Sequence, residues 1–431
     1  MKKLINEKLN GISRRDFIKT SAAVSIAALG TGTTKIYASG SDKIRVGLIG
    51  CGDRGTGAAL DCVRSSDGVE IVAMADVFKD RIDKSLANLS RQEDNKVSVT
   101  KDRTFTGFDA YKKIMETDVD YVIMATPPHF RSEHLEAAVE AGKHVFMEKP
   151  GGVDPVGIRR LIAAGEAAKT KGLSVVVGTQ QRRQPQYLEI IKRIHNGQIG
   201  NIVAGQCYWL WDEGDWHFSK RHAEWSDMEW QIRCWPYFTW LSGDHIVEQH
   251  VHNLDIINWA IGAHPVKCSA IGGRQVRTGP EYGNIFDHFA VEYEYPDGVR
   301  VMSMASQIEG GIDKVCERLV GTKGRTYTTR SVGYIEGEKP YKYEGSSSSG
   351  FETEHADLID SIRKGKPINE VKHLAESTLT AIMGRMSAYT GRALNWDWVM
   401  NASMLDLTPP KYELGDLPVR PIPVPGKTAL V

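Results

Sequence analysis

Ile44-Arg45-Val46-Gly47-Leu48-Ile49-Gly50-Cys51-Gly52-Asp53-Arg54-Gly55 is the stretch that decides the fold. An apolar run of buried-strand length enters a glycine turn directly, and Ala58-Ala59-Leu60 beyond it is helix-forming. Gly50 permits the tight turn, Gly52 lets the backbone approach a pyrophosphate, and Gly55 lets helix pack on strand. Cys51, Asp53 and Arg54 complete the turn, and the helix start presents free N–H groups and its dipole to phosphates.

The next apolar run, Val69 to Ala75, ends in Asp76. An acidic residue there accepts both ribose hydroxyls of an adenosine and repels a 2′-phosphate, which favours NAD over NADP. Lys79 and Arg81 lie close enough to soften that preference, and a helix N-cap is the competing role for Asp76. Further runs follow at Tyr121–Ala125, Lys143–Met147 and Ser174–Val177, with helices expected near 131–141 and 155–171. Alternating strands and helices predict a doubly wound parallel sheet whose crevice holds Thr126, Pro127, His129 and Glu148. This dinucleotide-binding domain spans 39–178, a second α/β domain 179–407, and a proline-rich extended tail 408–431.

Lys149 follows Glu148 at a strand end and precedes Pro150. A lysine there is either a surface residue or a functional cation that would hold a substrate hydroxyl and lower its pKa. Residues 243–259 read as one helix, which puts His245, Glu248, His252 and Asp255 on a single face. The zinc-protease spacings are absent, so no metal is expected; a solvated polar face is the alternative to a catalytic one.

The glycine turn, Asp76, Thr126-Pro127, Glu148-Lys149-Pro150 and the Glu248…His252 helix together resemble the glucose-fructose oxidoreductase, inositol dehydrogenase and MocA (Gfo/Idh/MocA) family over about residues 43–400. The resemblance implies an amino-terminal Rossmann domain and a carboxy-terminal α/β domain with a large open, mostly antiparallel sheet. It also implies assembly as a homodimer or homotetramer and NAD(P)-dependent oxidation of sugars, glycosides or cyclitols. His252 matches the family's catalytic histidine, and Glu248 stands where an aspartate is usual. In that role His252 takes the carbinol proton as hydride leaves, a carboxylate holds its tautomer, and Lys149 polarises the same oxygen. Asp255 then orients His252 or binds substrate.

Seven of ten tryptophans, Trp209 to Trp240 and including Trp216 and Trp235, fall within 32 residues. They suit either stacking on sugars or an aromatic core. Gln181 and Arg182 leave the first sheet toward the crevice and are expected to contact substrate or the nicotinamide ribose; Trp235 joins them as a substrate contact. The six cysteines form no Cys-x-x-Cys pair, so neither a zinc ribbon nor a disulfide scaffold is signalled.

Length and composition exclude a disordered or collagenous chain, and 54 basic against 54 acidic residues offer nothing to nucleic acid. Seven of the basic residues lie in 1–38, leaving 47 against 52 beyond it. There Arg14-Arg15, Phe17 and Lys19 precede a mild apolar run ending near Ala38, the pattern of a twin-arginine export signal. The apolar run is too short for a mature membrane anchor. The expected partner is thus the twin-arginine translocase, the destination the periplasm, and the cofactor a tightly held NAD, because no free nicotinamide pool exists there. Two other functions share these residues: a redox-neutral NAD-dependent glycoside hydrolase, and a noncatalytic sugar sensor.

Overall fold

The computed structural model describes residues 43–431 except 213, 215, 216 and 219. The proposed export signal, 1–38, and Trp216 therefore lie outside the described residues. Lys43 to Val431 form one compact unit built on two sheets.

The first sheet has six parallel strands in the order Thr104–Thr106, Val69–Asp76, Ile44–Ile49, Tyr121–Met124, His144–Met147 and Val175–Val177. Val46 pairs with Ile71 on one side and Tyr121 on the other, so the decisive strand is central. Such strands are covered on both faces, which explains their continuous apolar runs. Helices Asp53–Ser65, Arg131–Glu140 and Pro155–Thr170 provide cover. Asp154 caps the last of these, accepting from the Gly157 amide at 2.7 Å. The three-residue edge strand at 104–106 has too little sequence pattern to be foreseen.

The second sheet has nine strands and is antiparallel except where Ile202–Leu210 pairs in parallel with Arg300–Ser306. Along Arg300–Ser306 exposed and buried residues alternate, as a sheet with one solvated face requires. Helices Val251–Ile261 and Val371–Thr390 cover the other face. Every residue from Ser377 to Thr390 is buried, because that helix also packs on helix Pro155–Thr170 of the first domain.

Late in the chain, helix Phe351–Lys364 packs on helix Asp53–Ser65, and Asn369 bridges in parallel to Val175. The chain returns because the edge strand Val175–Val177 has open backbone groups, met by the Ile368 carbonyl and the Glu370 amide. One expectation needs correction: 243–259 is not one helix. It divides into His245–Glu248 and Val251–Ile261. Asp244, at φ 74°, accepts from the amides of His245 and Phe286 and from the Tyr389 hydroxyl, which fixes the first turn to the core. His250 is held by Asn253 and, at 2.7 Å, by Ser303.

The tail after Leu407 has no regular structure, as expected, and lies along its own chain. The Gly415 and Leu417 carbonyls accept from Met228 and Gln231, and the Leu417 amide donates to Asp227. No helix among the described residues is long and apolar enough to cross a membrane.

Candidate active site

At the carboxyl ends of the first sheet's strands the two domains enclose a cavity of about 320 Å³. The glycine turn forms one wall. Gly50 has φ +92°, and a Cβ there would stand 2.7 Å from the Ala125 backbone. A Cβ on Gly55 would lie 1.8 Å from the Gly50 carbonyl oxygen, whereas one on Gly52 would meet nothing within 4 Å. Helix Asp53–Ser65 starts without a side-chain cap, so its first N–H groups are available to an anion. The turn therefore fits the pyrophosphate of a dinucleotide, with Gly52 at the open approach. Asp76 lines the cavity, and its two oxygens accept from the Cys51 amide at 2.7 Å and the Phe78 amide at 2.9 Å. Burial raises its carboxyl above the ordinary value, opposed by those two amides.

At the other end lie Lys149, Glu248, Gln249, His252 and Trp235. The Lys149–Pro150 peptide is cis. Lys149 donates from Nζ to Glu248 Oε1 at 2.7 Å and to the Glu248 carbonyl. The expected carboxylate for His252 is thus engaged with the lysine instead. His252 is 5% exposed and its ring stacks on Trp209, centroids 5.9 Å apart. Burial, Lys149 and Arg330 together push its pKa well below that of an ordinary imidazole, so it is neutral near pH 7.

Glu148 faces the cavity but is held by its neighbours: Arg54 donates from Nε at 2.6 Å, and the Lys149 amide reaches its other oxygen at 3.2 Å. Arg54 also pairs with Asp61 and lies over the Phe351 ring. Gly178 makes room for this carboxylate, since a Cβ there would meet Glu148 Oε2 at 2.6 Å.

Asp53, Thr126 and Pro127 also line the cavity, whereas Cys51, His129, Gln181, Arg182 and Asp255 do not. Asp255 takes two bonds from Arg182, at 2.7 and 2.8 Å, and one from Ser377. Against the burial that would raise it, Arg182 holds the Asp255 carboxyl below its usual value. Arg182 lies over Trp259, so this pair ties the first domain's exit loop to helix Val251–Ile261 and neither partner faces the cavity. His129 shares a 2.7 Å hydrogen bond with Tyr412. His245 does not line the cavity: it packs against Phe289, both ring nitrogens lack hydrogen-bond partners, and burial lowers its pKa to about 3. Its place on a common face with Glu248 and His252 is lost with the continuous helix.

Of the tryptophans, Trp209, Trp230 and Trp240 are core residues, and Trp235 lines the cavity. The sequence reading missed Phe78, Arg131, His134, Gln180, Arg330 and Phe351 as lining residues. Gln180 adjoins an identified neighbour; the others belong to no local motif.

Residues 44–179 match the oxidoreductase family with an NAD-binding Rossmann fold, and residues 187–327 match the GFO/IDH/MocA C-terminal domain. The chain is 28% identical to inositol 2-dehydrogenase 4 of Saccharopolyspora erythraea over 60% of its own length and 65% of that protein's. It is 27% identical to a glycosyl hydrolase family 109 protein of the same organism over 54% of its length and 52% of the relative's. The crystal structure of aldose-aldose oxidoreductase from Caulobacter crescentus superposes with a TM-score of 0.66 at 19% identity, covering 82% of this chain and 99% of that one. A glycine turn open at Gly52, a lysine-histidine cavity and two adjoining family matches place the chain in the Gfo/Idh/MocA oxidoreductase family, with an NAD-binding Rossmann domain.

Proposed function

We propose that the protein oxidises a ring carbinol of a sugar, glycoside or cyclitol. The observation that carries this reading is the convergence of Lys149 and His252 on the cavity that the glycine turn opens into. NAD, held at Gly50–Gly55 and Asp76, supplies the hydride acceptor. Glu248 fixes the Lys149 ammonium, whose remaining N–H polarises the substrate oxygen. Neutral His252 takes the hydroxyl proton as the carbon loses hydride. Trp235 offers a flat face for the ring.

Tight retention of the cofactor and export by the twin-arginine route belong to the same proposal. They rest on Arg14-Arg15 and the apolar run that follows. A second sugar would return the retained hydride. The family 109 relative favours one further reading, redox-neutral glycoside hydrolysis on the same residues.

The test is to purify the exported protein, identify any nucleotide released on denaturation by mass spectrometry, and follow absorbance at the reduced-nicotinamide band with cyclitols and sugars. Cofactor reduction by a ring carbinol that is lost in Lys149→Ala supports dehydrogenation. Aglycone release from aryl glycosides without net reduction selects the hydrolase, and activity with neither sinks both.

A further inference from the structure

Arg330 stands in the turn between strands Gly324–Thr328 and Gly333–Gly337 and belongs to no motif of the sequence. The turn is fixed from two sides. Thr329 Oγ1 accepts from the amides of Ser331 and Val332, and Gln186, fully buried, donates from Nε2 to the Arg330 carbonyl. The guanidinium lies over the Trp209 indole, 5.1 Å from its centroid, and Trp209 in turn stacks on His252. Arg330 thereby lines the catalytic cavity.

Four other cations of that cavity are occupied. Arg54 meets Glu148, Lys149 meets Glu248, and Arg233 meets Asp80 and Glu229. Arg131 is spent on the Thr126 and Pro150 carbonyls. Arg81 also lines the cavity and acts electrostatically on Asp76. Among the described residues no carboxylate stands at ion-pair distance from Arg330, and Glu148 and Glu248, which line the same cavity, are engaged elsewhere. An arginine on an aromatic platform presents a planar fork matched to a carboxylate or phosphate.

We propose that Arg330 determines specificity by binding an anionic group, carboxylate or phosphate, on the substrate whose carbinol faces Lys149 and His252. The inference rests on the dehydrogenase reading of the cavity and adds the substrate's charge to it. A packing arginine with no ligand role is what the experiment must distinguish.

The NAD-loaded full chain is assayed with matched triplets of hexose, hexuronate and hexose 6-phosphate in the gluco, galacto and manno series, and binding of each is measured by calorimetry. The expected result is a preference of ~10-fold or more for one anionic class over its neutral parent, expressed mainly in KM, as a charge-assisted bidentate contact provides. In Arg330→Gln that ratio collapses, and in Arg330→Lys it is partly retained; which anion wins tells carboxylate from phosphate. Equal affinity for charged and neutral members, or a preference that survives in Arg330→Gln, overturns the proposal. Should an anion bind with Arg330 dependence while no compound reduces NAD, the anion site stands and the dehydrogenase reading falls.

Discussion

Lys149 and Glu248 are 99 residues apart in sequence and 2.7 Å apart in space, joining a strand end of the first domain to a short helix of the second. Their side chains are only 13% and 7% exposed, so little water screens the pair. Removing one partner from such a pair strands the other. Lys149→Ala and Glu248→Ala singly are therefore expected to lower stability by about 3 kcal/mol, with the double variant recovering part of that loss. Urea denaturation of the four proteins checks the coupling; strictly additive losses would deny it. Turnover in Lys149→Ala is expected to fall at least ~100-fold while NAD binding persists, because the lysine acts at the reacting oxygen.

The pH profile follows from what surrounds His252. Burial, Lys149 and Arg330 lower its pKa well below 6.5, so the base form persists into acid. The acid limb of kcat/KM is expected below pH 6.5. Removing the Lys149 charge in Lys149→Met favours the imidazolium and moves that limb upward. A limb at or above pH 6.5 in the wild type, or no upward movement in the variant, counts against His252 as the base.

Stability depends on a different histidine. His245 is buried with neither ring nitrogen hydrogen-bonded, although Nε2 lies 3.9 Å from Asp244 Oδ1, and burial lowers its pKa to about 3. Below pH 6.5 the unfolded chain binds a proton at this position and the folded chain does not, so this contribution is complete above 6.5 and lost as pH falls toward 3. Asp244 opposes it, since burial pushes its carboxyl up to about 7 and the folded form holds the extra proton. His245→Leu keeps the apolar contact with Phe289 and removes the two stranded nitrogens. It is expected to gain about 1–2 kcal/mol near pH 7. Between pH 6.5 and 5 it should spare the chain a further loss of about 2 kcal/mol. Melting temperatures across that range test both; an unchanged pH slope would place the acid sensitivity elsewhere.

Gly55 offers the sharpest test of the turn. The Gly50 carbonyl occupies the space a side chain would need, and both atoms are backbone, so nothing flexible can yield. Gly55→Ala is expected to cost about 1–3 kcal/mol and to weaken NAD binding, read by thermal melting with and without the nucleotide. Retained affinity would mean the helix can shift without disturbing the phosphate site.

The strands of the first sheet could be read from the chain because each is buried on both faces and needs an unbroken apolar run. Gly50 and Gly55 were legible for a similar reason, since each answers a local steric demand. Lys149 and His252 emerged from motifs, but their relation did not. Periodicity places Glu248 four residues from His252 and says nothing of Lys149, which takes its carboxylate. The helix break had no local signal either: His250, at the break, is held by Ser303, distant in sequence. Arg182 and Asp255, both read as substrate contacts, found each other instead. Arg330 reaches the cavity only through the pairing of two late strands.

The tail bears on cofactor exchange. Tyr412 stacks on Phe108, packs on Phe130 and shares a hydrogen bond with His129, and both phenylalanines line the cavity. Five residues further on, Leu417 is bonded to Asp227 and Gln231 on the helix that carries Ile232 and Arg233 to the same cavity. One stretch of irregular chain thus ties lining residues of both domains together, and its backbone bonds are few. Tyr412→Ala removes the ring while leaving those bonds, at a cost of about 1–2 kcal/mol for a half-buried aromatic. Deleting 409–431 removes both ties. The expected order of NAD dissociation rates, measured by stopped-flow fluorescence, is wild type slowest, Tyr412→Ala intermediate and the deletion fastest. The melting temperature should follow the same order. Identical dissociation rates in all three would show that the walls hold their positions without the tail, and retention of the cofactor would then rest on the glycine turn and Asp76 alone.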